Sequence, residues 1–75
     1  MAIRLVARQL HPLSARQYET LMLYADGLTY RQIAERLGVA YDTVKRHMEE
    51  TRAKLDVSSS AEAYRIIRRK TRDVQ

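Results

Sequence analysis

Four charged side chains of this 75-residue chain recur at helical spacing: Asp42, Lys45, Arg46 and Glu49. Because they stand three and four residues apart, a helix would bring all four to one side. An arginine can bond guanine through two hydrogen bonds, and a carboxylate can accept a hydrogen bond from the amino group of cytosine. These residue types at this spacing are suited to reading base edges. The alternative is that they form surface pairs (Asp42–Arg46, Lys45–Glu49 and Arg46–Glu50), each worth about 0.3–0.5 kcal/mol.

A second group, Thr29, Tyr30 and Arg31, opens a helix, where free N–H groups and the helix dipole favour an anion. We expect these residues to contact a phosphate of the DNA backbone. The alternative is ordinary helix capping and a solvated face. The charge balance suits a polyanionic partner, since 14 Lys and Arg face nine Asp and Glu, a net charge of +5.

Other chemistry finds little support in the sequence. The chain has no Cys, which excludes disulfides and thiolate metal sites. His47 has no second ligand near it, so we expect no metal, and the scattered carboxylates predict neither catalysis nor a small-molecule substrate. We also expect no cofactor. No apolar run is long enough for a signal peptide or a membrane span, which predicts a cytoplasmic protein.

Capping signals divide the chain into four helices. Ser14 with Gln17, Thr29 with Gln32, and Ser59 with Glu62 each place a hydroxyl three residues before an amide or carboxylate, as capping boxes do. Gly27 and Gly38 close the first two helices. The third helix should run from about Tyr41 to Leu55 and the fourth from Ser60 to about Lys70. The sequence therefore predicts an all-α fold, a small four-helix bundle.

One domain over residues 14–70 accounts for these helices, between an N-terminal arm (1–13) and a basic tail (71–75). We expect the arm to cover a patch of the core, with a subunit contact as the alternative. In the last helix, Ala63, Ile66 and Ile67 should face the core. Its basic residues, Arg65, Arg68, Arg69 and Lys70, form a solvated face or contact phosphates.

The second and third helices form a helix-turn-helix pattern: a short helix ending in Gly38, a three-residue turn, and a longer helix. Ala34 is small enough for the helices to cross closely, and Val39 and Val44 anchor the turn and the following helix. The start of the third helix is then free to enter a major groove.

The chain resembles the LuxR-type helix-turn-helix domain of NarL/FixJ and GerE-like transcription regulators over roughly residues 13–70. The matching residues fall in all four helices: Leu13-Ser14, Glu19, Leu21, Gly27-Leu28-Thr29, Ile33-Ala34, Leu37-Gly38-Val39, Thr43-Val44-Lys45, His47, Lys54-Leu55, Val57-Ser58-Ser59 and Glu62-Ala63. The resemblance implies a transcription regulator that binds double-stranded DNA, with its third helix reading bases.

Roles for individual residues follow from this resemblance. Lys45, Arg46 and Glu49 match the family's base-contacting positions, and Asp42 lies beside them. Thr43 and His47 are expected at the DNA backbone, with packing as the alternative for His47. The chain departs from the family pattern at Ala40, where a Ser N-cap is usual, and at Asp56, where Gly is usual. Thr51 and Arg52 replace an Ile and an aromatic residue.

The resemblance also implies that the last helix pairs subunits. We expect a homodimer built on Tyr64, Ile67 and Arg68, with a monomer as the alternative. Two other functions stay open. The pattern is similar to region 4 of a sigma factor, which would bind a promoter and RNA polymerase. The chain could instead pair with a longer regulator and titrate it without contacting DNA.

Overall fold

The computed structural model describes residues 11–72, apart from the side chains of residues 71 and 72. Within this range the chain forms four helices and no strand: α1 (Ala15–Ala25), α2 (Tyr30–Leu37), α3 (Tyr41–Leu55) and α4 (Ser60–Arg72). The predicted all-α architecture is confirmed, and α4 continues two residues beyond the expected end.

Predicted caps are present at the starts of α1, α2 and α4. Ser14 and Gln17 form a complete capping box at α1, and Thr29 and Gln32 form one at α2. At α4, the backbone N–H of Glu62 donates to the hydroxyl of Ser59 over 3.2 Å. These bonds satisfy N–H groups that have no partner within the helix. Local side chains therefore help to determine where these three helices begin.

The turn between α2 and α3 needs a left-handed residue, and Gly38 supplies it with φ of 69°. The backbone N–H of Val39 then donates to the carbonyl oxygen of Ala34 over 3.0 Å, which closes the end of α2. Asp56 ends α3 with φ of 55°, so the position usually held by Gly keeps its left-handed backbone here.

The core lies where α1, α3 and α4 meet, with α2 packed against α3. Its buried apolar side chains come from every helix and from the segment before α1: Leu13, Leu21, Ile33, Ala34, Val44, Met48, Ala63 and Ile67. Thr20 and Thr51 are fully buried as well. Their hydroxyls donate to the carbonyl oxygens of Arg16 and His47 over 2.7 Å, so neither is an unsatisfied polar group.

Two assignments in α4 require correction. Ile66 was expected in the core, but it is only partly buried and lies outside the core cluster. Ile67 was expected at a dimer contact, yet it has no exposed surface. Adjacent residues of a helix point about 100° apart, and α4 is rotated so that Ile67 rather than Ile66 faces the other helices. The buried side chain is Ile67, which lies on the same side of α4 as the buried Ala63.

Part of the segment before α1 packs against the helices. His11 and Leu13 are buried, and the His11 ring stacks on that of Tyr18 with centroids 5.0 Å apart. Two residues of the predicted arm are therefore buried, and residues 1–10 lie outside the described part. In residues 11–72, no helix is long and apolar enough to cross a membrane, and no group of three or more potential metal ligands occurs.

Candidate nucleic-acid interface

The four charged residues of α3, hereafter the reading face, are Asp42, Lys45, Arg46 and Glu49. All four are exposed. None forms a hydrogen bond or an ion pair with another described residue, whereas Arg16 and Glu19 on α1 do pair, over 3.3 Å. The alternative of surface pairs along α3 is therefore wrong for this structure. The reading face is available to an external partner.

The start of α2 lies close to the start of α3. Tyr30 and Tyr41 are the first residues of the two helices, and their ring centroids lie 6.2 Å apart. The Thr29 hydroxyl accepts from the Gln32 N–H over 3.1 Å, so the capping role expected as an alternative for Thr29 is present. Arg31 is exposed and has no partner among the described side chains. Thr29, Tyr30 and Arg31 thus stand at one helix end, with Tyr30 partly buried against the core.

The start of α3 has a weaker cap than the other helices. Ala40 adopts the extended N-cap conformation but offers no side-chain hydrogen bond. The N–H groups of Thr43 and Val44 both donate to the Ala40 carbonyl oxygen, over 3.0 and 3.2 Å. The acidic side chain of Asp42 in the first turn interacts favourably with the positive end of the helix dipole. Thr43 itself is partly buried beside Asp42.

His47 is partly buried between the core and the exposed side of α3, with 19% of its side chain exposed. Its Nδ1 is buried without a hydrogen bond and lies 3.9 Å from Oε1 of Glu50. The two roles expected for His47, packing and contact with the DNA backbone, both stay predictions.

A polar junction that no sequence pattern predicted joins α1 to α3. Gln17, expected only as a capping residue, is 6% exposed and also bonds Glu50 and Lys54. These partners stand 33 and 37 residues away along the chain. A local pattern carries no signal for contacts at such separations. This junction lies on the helix that carries the reading face.

The residues predicted for dimerisation separate into two environments. Arg68 is exposed and Tyr64 is partly buried, whereas Ile67 belongs to the core. An open groove of about 510 Å³ runs beside Tyr64, with Tyr24 and Leu28 on its other side. The α4 residues that line the groove are Ala61, Tyr64 and Arg65, so the groove adjoins the outer side of α4.

A short helix, a glycine turn with left-handed geometry, and a longer helix with an unpaired charged face together define a helix-turn-helix domain. Comparison with known proteins gives the family. Residues 11–67 match the model described as bacterial regulatory proteins, luxR family. The chain belongs to this family, and the predicted resemblance is confirmed.

Three curated relatives illustrate the match. The chain is 41% identical over 51 residues to "Transcriptional activator protein CarR" of Pectobacterium carotovorum subsp. carotovorum, covering 68% of this chain and 21% of that protein. It is 44% identical over 54 residues to "Probable transcriptional regulatory protein SgaR" of Hyphomicrobium methylovorum, covering 72% and 26%. It is 41% identical over 51 residues to "Transcriptional regulatory protein LiaR" of Bacillus subtilis (strain 168), covering 68% and 24%.

The matched part of this chain thus spans only about a quarter of these relatives. No solved structure matches the chain significantly. The match to the luxR family agrees with the separate capped helix that follows α3.

Proposed function

We propose that this domain binds double-stranded DNA in a sequence-specific manner, as part of a regulator of transcription. The observation that carries this proposal is the reading face on the second helix of the helix-turn-helix. Lys45 and Arg46 are exposed and unpaired there among the described residues, on a helix whose opposite side is anchored by Val44 and Met48. An α-helix fits the major groove, and unpaired cations do not have to give up an internal partner on binding.

In this account α3 lies in the major groove. Arg46 bonds guanine through two hydrogen bonds, and Lys45 contacts the neighbouring base. Glu49 accepts from a cytosine amino group, and Asp42 adjoins the same bases near the start of the helix. The mixture of two cations with two carboxylates supports selective contact over uniform attraction, because a misplaced carboxylate is repelled by phosphate.

The start of α2 contacts the DNA backbone. Arg31 is exposed, and the capping box uses only the N–H groups of Thr29 and Gln32. The N–H groups of Tyr30 and Arg31 therefore remain to bind a phosphate oxygen, aided by the helix dipole. Thr43 and His47, on the side of α3 between the core and the reading face, contact the phosphates that line the groove.

We also propose that two copies bind together through α4. Tyr64, Arg68 and the groove beside Tyr24 supply the contact surface, and Ile67 takes no part. A two-fold axis at this surface would place two α3 helices about one DNA turn apart, ~34–36 Å, and would require an inverted-repeat site. Because the surface is small, the dimer should form mainly on DNA.

Enrichment of bound duplexes from a randomised pool tests the function. The proposal predicts that successive rounds converge on an inverted repeat whose half-sites lie about one turn apart. Convergence on no sequence, with binding that depends only on salt, would contradict sequence-specific recognition. If the domain instead titrates a longer regulator, no duplex would be retained at physiological salt.

A further inference from the structure

Gln17 occupies a junction of three polar contacts that ties α1 to α3. Its Oε1 accepts from the backbone N–H of Ser14 over 3.0 Å and from Nζ of Lys54 over 2.9 Å. Its Nε2 donates to Oε1 of Glu50 over 3.1 Å. The side-chain amide thereby joins the start of α1 to two residues of α3.

The chemistry of the partners fixes the orientation of this amide. Lys54 and the Ser14 N–H can only donate, so the oxygen of Gln17 must face them. Glu50 is an acceptor when ionised, so the NH₂ group must face it. A glutamine satisfies all three partners at once. A glutamate in its place would set two carboxylates against each other at hydrogen-bonding distance.

The two anchored residues of α3 stand one helical turn apart. Lys54 also donates to the carbonyl oxygen of Pro12 over 3.4 Å, so the second anchor reaches the segment before α1. Hydrogen bonds at two positions one turn apart, on one side of a helix, restrain the rotation of that helix about its own axis. Glu50 follows Glu49 directly and lies four residues from Arg46. A restraint on the rotation of α3 at Glu50 therefore also restrains the rotation of the reading face.

We propose that Gln17 is a positioning residue for DNA recognition: through Glu50 and Lys54 it sets the rotation at which α3 presents Arg46 and Glu49. This inference rests on the proposed function and adds to it a residue that does not contact DNA. Loss of the junction changes discrimination between sequences more than it changes attraction to DNA, because a rotated helix keeps its charge and loses its alignment with base edges.

The test compares Gln17→Glu, Glu50→Gln and the double variant in the full chain. The measured quantity is the affinity for the selected duplex divided by that for a random duplex, at one salt concentration. Gln17→Glu should lower this ratio about tenfold, a size within the range of coupling between contacting residues. The double variant has the net charge of the wild type and restores a carboxylate–amide pair in reverse. Its ratio should return to within about twofold of the wild-type value.

Thermal unfolding separates positioning from folding. Gln17→Glu keeps the capping box and gains an ionic contact with Lys54, so its melting temperature should stay near that of the wild type. Glu50→Ala provides a second variant at an exposed site, and it too should lower the ratio, since it leaves the buried Nε2 of Gln17 without its acceptor. Glu19→Ala, an exposed carboxylate on α1, is the matched control and should leave the ratio unchanged.

The outcomes distinguish failure of this inference from failure of the proposed function on which it rests. A wild-type chain without preference for any duplex would contradict both. A wild-type preference that survives in a folded Gln17→Glu variant would contradict only the role of Gln17. Should Gln17→Glu fail to fold, an unchanged ratio in Glu50→Ala would overturn the role, and so would failure of the double variant to recover.

Discussion

The rings of Tyr30 and Tyr41 lie 6.2 Å apart and are inclined by 55°, and each belongs to the first residue of its helix. This contact holds the start of α2 beside the start of α3. The ring of Tyr24 extends the cluster, 6.2 Å from Tyr30. The proposed phosphate contacts at Arg31 and the reading face are thereby held on one rigid unit.

Replacing Ala40 by Ser should stabilise the domain. Ala40 already has N-cap geometry without a side-chain acceptor, so a hydroxyl there can accept from the N–H of Thr43. Caps of this kind contribute about 1 kcal/mol to the free energy of unfolding. For a domain of this size we expect the melting temperature to rise by ~4–8 °C.

The same substitution at Ala53, an exposed position inside α3, is the control. Serine is a poorer helix former than alanine, so Ala53→Ser should lower stability slightly. An Ala40→Ser variant no more stable than Ala53→Ser would show that the start of α3 does not lack a cap.

Arg31→Ala should weaken binding to the selected and to random duplex about equally. A phosphate contact carries no sequence information, and each one lost reduces the salt dependence of the logarithm of affinity by ~1 unit. Binding measured from low to moderate salt gives this slope. Arg36→Ala, an exposed arginine at the other end of α2, is the comparison and should leave the slope in place. Equal slopes for wild type and Arg31→Ala would locate the phosphate contact elsewhere.

Tyr64→Glu should prevent two copies from binding one inverted repeat while each half-site is still recognised. A carboxylate in the proposed contact surface would be desolvated without a partner. Sedimentation of saturated complexes counts the protomers, and Arg68→Glu gives a second variant at an exposed site. Arg69→Glu, also exposed on α4, is the control for the change of charge. A wild-type complex that saturates with one protomer per operator would contradict dimerisation.

Helix positions could be predicted from the sequence because their determinants are local. Ser14, Thr29 and Ser59 lie within three residues of their capping partners, and Gly38 acts through its own φ angle. The bounds of α3, from Tyr41 to Leu55, were also predicted correctly, although its N-cap Ala40 has no side-chain hydrogen bond.

The choice between Ile66 and Ile67 could not be predicted, because it depends on how α4 is rotated against the other helices. Both side chains are apolar, and the repeat along α4 permits either in the core. The junction at Gln17 was missed on similar grounds, since its α3 partners are distant along the chain. The Arg46–Glu50 pair, which was the alternative to base contact, is absent, and Glu50 instead accepts a hydrogen bond from Gln17.

Binding by Arg46 variants tests the central claim, that α3 reads DNA sequence through its exposed face. Arg46→Ala should weaken the selected site by ~1–3 kcal/mol and relax the preference at one base pair, with thermal stability almost unchanged. Arg46→Lys keeps the charge but loses the paired donors, so it should retain affinity for random duplex and lose the same base preference. Intact affinity and intact preference in folded Arg46→Ala would contradict the account.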